Sequence, residues 1–219
     1  MQPLKKASSP TRSAPKPPGK AKIPVHGHKP PGEIRIIGGL YKRSKLAVPN
    51  IPGLRPTPDS VRETLFNWLG QDLSGWRCLD AYAGTGALGF EAASRGAAQV
   101  LMVENNAALV AALSATKTKL GAANVQIQRG DALAALRAQS AGSMDLIFID
   151  PPFDSSDFLK IIEANVSVIS SSGAIYLEAP RAWTNTELEP IGLCVAKSGK
   201  AGAVHYHLLT RLPAKSLVA

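Results

Sequence analysis

Asp80-Ala81-Tyr82-Ala83-Gly84-Thr85-Gly86-Ala87-Leu88-Gly89 follows the strand-like run Arg77–Ala81 and opens a helical pattern, Ala87–Arg95. Glycine at 84, 86 and 89 reproduces the GxGxxG spacing between a strand and a helix, the context in which such a loop cradles a ligand. Gly84 and Gly86 permit backbone conformations, and a close ligand approach, that a Cβ would obstruct. Downstream, strand and helix patterns alternate: strand Gln99–Glu104, helix Asn106–Leu120, strand Val125–Arg129, helix Ala132–Ala138, strand Met144–Asp150, helix Ser156–Val168, strand Ala174–Glu178. That rhythm specifies an α/β domain with a parallel sheet covered on both faces. It then breaks: Leu193–Lys197 and Val204–Leu209, separated by Ser198-Gly199-Lys200-Ala201-Gly202, predict a terminal hairpin and so an antiparallel strand, which a dinucleotide-binding Rossmann domain usually lacks.

Upstream of the loop, Thr57 and Pro58 predict a helix start, with Thr57 as N-cap, Pro58 at the first helical position, and Val61, Leu65, Trp68 and Leu69 at helical spacing. Ile34–Ile37 and Lys45–Val48 flank Gly38-Gly39 and Tyr41-Lys42-Arg43, which predicts two short strands around a basic loop. Residues 1–32 combine eight prolines with Lys, Ser and Gly and show no periodicity, the composition of a disordered tail, either a solvated spacer or an RNA-gripping arm. The expected organisation is therefore a tail over 1–32, a hairpin extension over 33–55 and a catalytic domain over 56–219.

Charge follows the same division. Residues 1–32 hold seven Lys or Arg and no acid, residues 33–62 six against two, and residues 63–219 twelve against fourteen, so the net charge of +9 arises entirely in the first 62 residues. A near-neutral body with a basic attachment suits a polyanionic partner. Cys78 and Cys194 lie in apolar strand-like runs and are expected as buried reduced thiols, with a cytoplasmic location as the default. No apolar run approaches the ~18 residues of a membrane span, and the first residues lack the apolar core of a signal peptide. The basic, acid-free tail leaves a transit peptide open, although its prolines oppose the helix such peptides form. His26-x-His28 and His205-x-His207 have no further ligand at metal spacing, so no metal is expected.

Acidic residues recur at strand ends. A dinucleotide would set its pyrophosphate on the helix N-terminus after the Gly84 loop. S-adenosylmethionine carries a sulfonium and an ammonium instead, and acids near the loop favour it. Asp80, with the adjoining Ala81 and Thr85, stands where the cofactor's amine would be accepted. Glu104 can take ribose hydroxyls of either cofactor, while Asp131, beside Ala132, suits either an adenine amine or a helix N-cap. Asp150-Pro151-Pro152-Phe153 ends the apolar run Met144–Ile149. Asp150 and a carbonyl of Pro151-Pro152 can accept the two hydrogens of an exocyclic amine, and Phe153 can stack on an unstacked base. Such a site works by positioning and charge, without a covalent nucleophile. The same tetrad also makes an ordinary stiff turn.

Taken together, Ile34-Arg35-Ile36-Ile37-Gly38-Gly39, Leu54-Arg55-Pro56-Thr57, Asp59–Leu69, Ala83–Gly89 and Asp150–Phe153 resemble the bacterial 16S ribosomal RNA guanine-N2 methyltransferases of the RsmD type. The resemblance runs from about Ile34 to Arg211, and its Arg-Pro-Thr block is more specific than the motifs shared across methyltransferases. It implies a class I, Rossmann-like fold with a seven-stranded, mostly parallel sheet, an RNA-contacting N-terminal hairpin, S-adenosyl-L-methionine as methyl donor, and the small ribosomal subunit as partner, with guanine 966 as the family's target. It further implies that Arg55, Thr57 and Asp59 border the cofactor pocket. Tyr82 replaces a Phe common in the family. Arg35, Lys42, Arg43 and Lys45 are the expected phosphate contacts, being clustered in the basic hairpin. A monomer is expected. An N6-adenine methyltransferase, a dinucleotide-dependent oxidoreductase and an RNA-binding module with a relic cofactor fold are the alternatives.

Overall fold

The computed structural model describes residues 32–152 and 158–213. Two short antiparallel strands, β1 (Glu33–Arg35) and β2 (Lys45–Ala47), form a separate sheet ahead of helix α1 (Asp59–Trp68). Then β3 (Arg77–Asp80), α2 (Ala87–Ser94), β4 (Gln99–Glu104), α3 (Ala107–Leu120), β5 (Val125–Arg129), α4 (Ala132–Arg137), β6 (Met144–Ile149), α5 (Phe158–Val166) and β7 (Ile169–Ala179) alternate. A short helix α6 (Asn185–Leu188) leads into the hairpin of β8 (Leu193–Ala201) and β9 (Val204–Arg211). The main sheet has the order β5-β4-β3-β6-β7-β9-β8, with β9 antiparallel to both neighbours and the other pairs parallel.

β6 shows why its sequence is apolar from Leu146 to Ile149. Leu146 and Phe148 enter the core beneath α1, α2 and α3, whereas Ile147 and Ile149 enter the core beneath α4, α5 and α6. A central parallel strand has no solvated face, so alternation disappears from its sequence. Parallel strands also start their connections at one edge of the sheet. Because the order reverses between β3 and β6, the loops after these strands diverge and leave a crevice at their carboxyl ends.

The N-terminal strands are joined to this body by more than chain continuity. Ile34, Ile36, Leu46 and Val48 are buried in the same core as Phe66 of α1 and Phe90 of α2. Glu91 of α2, fully buried, accepts the backbone N–H groups of Ile37 at 2.9 Å and Gly38 at 2.8 Å. Its carboxylate also accepts Arg62 Nη1 at 3.2 Å and Arg95 Nη2 at 2.8 Å. Arg62, equally buried, donates to the carbonyls of Arg35 and Thr57, and Arg95 lies over the Phe66 ring, 4.6 Å from its centroid. Gly39 is obligatory here: its φ is +72°, and a Cβ would fall 1.8 Å from the Ser94 carbonyl oxygen.

Local expectations change at three places, the first being β7, which starts at Ile169 and not at Ala174. The N-cap of α1 is Pro58, not Thr57, and Pro58 makes no side-chain cap bond. The Thr57 hydroxyl is drawn away to Glu178, at 3.1 Å. The terminal hairpin turns at Gly202-Ala203, so Ser198–Ala201 is strand rather than loop. Gly199 is the reason, since it lies across from Tyr206 and a Cβ would come within 2.3 Å of that ring. Cys78 is buried and Cys194 half-buried, both as free thiols, and burial pushes the Cys78 thiol up to about 12.

Candidate active site

A cavity of about 870 Å³ opens at the carboxyl ends of β3, β4, β5, β6 and β7, and the segment Ile51–Pro58 closes one side of it. Four sequence-predicted acids line it from four successive strand ends: Asp80, Glu104, Asp131 and Asp150. Ala81, Gly84, Thr85, Ala132, Arg55, Thr57, Pro151 and Pro152 line it as well. Gly86 does not. It caps α2 in the left-handed conformation, φ +77°, and a Cβ there would strike Leu113 and the Phe90 ring at 2.6–2.7 Å. Its work is helix packing, and Gly89 does the same against Met102.

Glu104 is held at both oxygens, accepting the Gly84 N–H at 2.9 Å and the Asn106 N–H at 2.8 Å. The carboxylate therefore ties the glycine loop to the start of α3. Asp131 caps α4, its Oδ1 accepting the Ala134 N–H at 2.8 Å, so the cap alternative describes its built contact while the residue also faces the cavity. Asp80 is 3% exposed and accepts the Gly89 N–H at 3.0 Å.

Among the cavity acids, Asp80, Asp150 and Glu178 have no described cation to compensate them. Burial pushes Asp80 up to about 7, with the Glu104 charge adding to the shift and the Gly89 and Tyr82 N–H groups opposing it. Burial likewise raises Asp150 well above the usual carboxyl range, and the charges of Glu178 and Asp80 raise it further. Glu178, at the end of β7, is raised by burial against the stabilising hydroxyls of Tyr176 and Thr57. None of the salt bridges among the described residues reaches Asp80, Asp150 or Glu178. Uncompensated buried acids around a crevice mark a functional site more often than a structural one.

Glu178 was not singled out from sequence, although the signal was there: it ends the apolar run Ala174–Glu178 as Asp80, Glu104 and Asp150 end theirs. Phe153 lies outside the described residues. The basic hairpin residues stand apart from the cavity. Arg35, Lys42, Arg43 and Lys45 are all exposed, Arg43 with a positive φ of 69°, and Lys45 is bonded to Glu33 at 2.8 Å. His207 is buried and its Nε2 accepts the Trp183 N–H at 3.1 Å. Among the described residues no group of three His, Cys, Asp or Glu is placed to hold a metal ion, and no helix is long and apolar enough to cross a membrane.

A reversed-order parallel sheet with a terminal antiparallel hairpin, and an acid-lined crevice over a glycine loop, define the class I methyltransferase architecture. The same fold is seen in a precorrin-6y C5,15-methyltransferase from Geobacter metallireducens, TM-score 0.55 at 21% identity, covering 73% of this chain and 90% of that one. More specifically, the chain belongs to the family described as Conserved hypothetical protein 95, which matches residues 34–210. It is 37% identical over 190 residues to the ribosomal RNA small subunit methyltransferase D of Escherichia coli K12, covering 84% of this chain and 93% of that protein. A relative of the same name from Buchnera aphidicola is 38% identical over 162 residues, 69% of this chain and 85% of its own. The solved structure of Escherichia coli yhhF aligns with TM-score 0.72 at 37% identity, over 82% of this chain and 98% of that one.

Proposed function

We propose that the protein transfers a methyl group from S-adenosylmethionine to the exocyclic N2 amine of a guanine in 16S rRNA of the small ribosomal subunit. The observation that carries this reading is the juxtaposition of Asp150-Pro151-Pro152 with the Gly84 loop and Glu104 in one cavity. The names of the relatives support the RNA substrate, and the resemblance supports guanine 966 as the position.

The cavity's donor set suits this cofactor. Its volume is in the range of ~300–1,000 Å³ typical of small-molecule sites. A pyrophosphate would compete with Asp80, which already takes an N–H of the first turn of α2. A net-positive ligand instead relieves the buried acids. When bound, S-adenosylmethionine supplies an electrophilic methyl group on a sulfonium. Asp80 would face its ammonium, Glu104 its ribose, and Asp131 its adenine.

The remaining work belongs to the chain. Asp150 and a carbonyl of the Pro151-Pro152 pair accept the amine's two hydrogens, which draws its lone pair out of conjugation and aims it. That lone pair would take the methyl of bound S-adenosylmethionine, the sulfur keeping the C–S bonding pair, and the displaced amine proton would go to the Asp150 carboxylate that already accepts it. Residues from 56 onward carry the reacting groups, while Ile51–Arg55 help wall the cavity. Residues 33–55 offer Arg35, Lys42, Arg43 and Lys45 to phosphate, with Lys45 shared with Glu33.

Radiolabelled methyl transfer to small subunits, naked rRNA, tRNA and DNA in parallel, followed by nucleoside analysis, tests the assignment. N2-methylguanosine in the ribosomal samples is expected. Label confined to DNA, or to N6-methyladenosine, would overturn it.

A further inference from the structure

The cavity holds a second acid beside Asp150. β6 and β7 run parallel with Ile149 opposite Leu177, so the next residues on each strand, Asp150 and Glu178, sit side by side at adjacent strand ends. Neighbouring strands lie ~4.8 Å apart, close enough for two carboxyls to address one planar ligand. Glu178 is 6% exposed and lines the cavity together with Asp150 and Pro151. It is held firmly: its Oε1 accepts the Thr57 hydroxyl at 3.1 Å and the Tyr176 hydroxyl at 2.9 Å. Both described hydrogen bonds fall on Oε1, which fixes the side chain and leaves Oε2 for a ligand.

A buried carboxyl at this point needs donors. The groups facing it are Asp150 just after β6, Tyr176 from its own strand, Thr57 from the segment before α1, and Tyr206, its register partner on β9. None of these is a cation. Guanine supplies the missing donors, because its Watson–Crick edge sets the N1–H directly beside the N2 amine. Adenine and 2-aminopurine set an acceptor nitrogen, N1, beside their amine, and that lone pair would meet a carboxylate.

We propose that Glu178 is a specificity-determining residue, accepting the N1–H of the target guanine while Asp150 takes the N2 amine. This rests on the guanine-N2 reaction proposed above and supplies the reason for guanine, which Asp-Pro-Pro alone does not. Thr57 then serves as an orienting residue: the Arg55-Pro56-Thr57 block reaches the base through Glu178.

The test uses the full chain and small subunits assembled with ligated 16S rRNA that carries either guanine or 2-aminopurine at the nucleotide the wild-type protein methylates. 2-Aminopurine keeps the same amine and loses the N1–H together with the O6 carbonyl; the Glu178→Gln swap, which acts at N1, separates the two losses. The wild-type protein should prefer guanine by about tenfold to a hundredfold in kcat/KM, the range expected for one contact to a base edge. Glu178→Gln keeps the shape. With Oε1 still held by two hydroxyls, its amide NH2 faces the cavity and donates to N1 of 2-aminopurine. The guanine preference should therefore collapse by at least about tenfold while S-adenosylmethionine binding is kept. Equal wild-type rates on both bases would overturn the proposal without any variant. So would an unchanged preference in Glu178→Gln, or loss of its cofactor binding. If the wild-type protein forms no N2-methylguanosine on guanine-bearing subunits, the underlying reaction falls and this inference with it.

Discussion

Two clusters of buried acid lie less than a helix apart, and they are opposite in character. Glu91 is enclosed by two arginines and two backbone N–H groups, so every part of its charge is answered from within the chain. Asp80 and Glu178 are nearly as deeply placed and Asp150 is half-buried beside them, yet the described partners are hydroxyls for Glu178 and backbone N–H groups for Asp80, and no described ion pair joins the three. Burial of a charge is costly unless it is paired. The first cluster meets that cost with internal partners and locks the hairpin to α1 and α2. The second leaves it to a ligand, and the ligand that fits is cationic on one side and rich in N–H donors on the other.

The contrast can be broken first at Glu91. Glu91→Ala would leave Arg95 buried without its counter-charge and Arg62 with the exposed Asp59 in place of a buried partner, and a loss of about 3–5 kcal/mol is expected in denaturant unfolding. A loss below about 1 kcal/mol would mean that the two arginines are hydrated and the lock is not structural.

The second cluster should show itself through pH. A carboxyl held near 7 in the folded chain keeps its proton while the unfolded chain loses it near 3.8, so the ligand-free protein should lose stability as pH rises from about 4 to about 7. Binding of a cation lowers the acid's pKa, so S-adenosylmethionine affinity should rise with pH and level off above about 7, with proton release below it. Calorimetry in two buffers of different ionisation enthalpy measures that release. A flat affinity profile with no proton exchange would remove Asp80 from the cofactor's surroundings.

The smallest effect is expected on the outer face of the hairpin. Replacing Arg35, Lys42, Arg43 and Lys45 by Ala should lower the salt dependence of rRNA binding, with the log–log slope falling by about 3. Cofactor affinity should not change. An unchanged slope would take the hairpin out of the RNA interface.

How far the sequence carried this account depended on the range of each interaction. The βα alternation, the antiparallel end and the acids at strand ends were legible because each is written within a few consecutive residues. The Gly86 role was only half legible: the motif announces a glycine, but the Phe90 and Leu113 side chains that exclude a Cβ come from folding. Glu91 was invisible as a lock, since its partners Ile37, Gly38 and Arg62 lie 54, 53 and 29 residues away. Thr57 illustrates competition. Its local signal is that of an N-cap, and a buried carboxylate 121 residues downstream takes the hydroxyl instead.

The measurement nearest the centre of this account pairs cofactor binding with product formation in Asp150→Ala, using small subunits as substrate and mass spectrometry of the released nucleosides. Removing one preorganised acceptor at the reacting amine should lower kcat by about 10²–10³ while S-adenosylmethionine binds at least as tightly as in the wild-type protein. Wild-type yield of N2-methylguanosine from Asp150→Ala would contradict the central claim that this acid holds the amine.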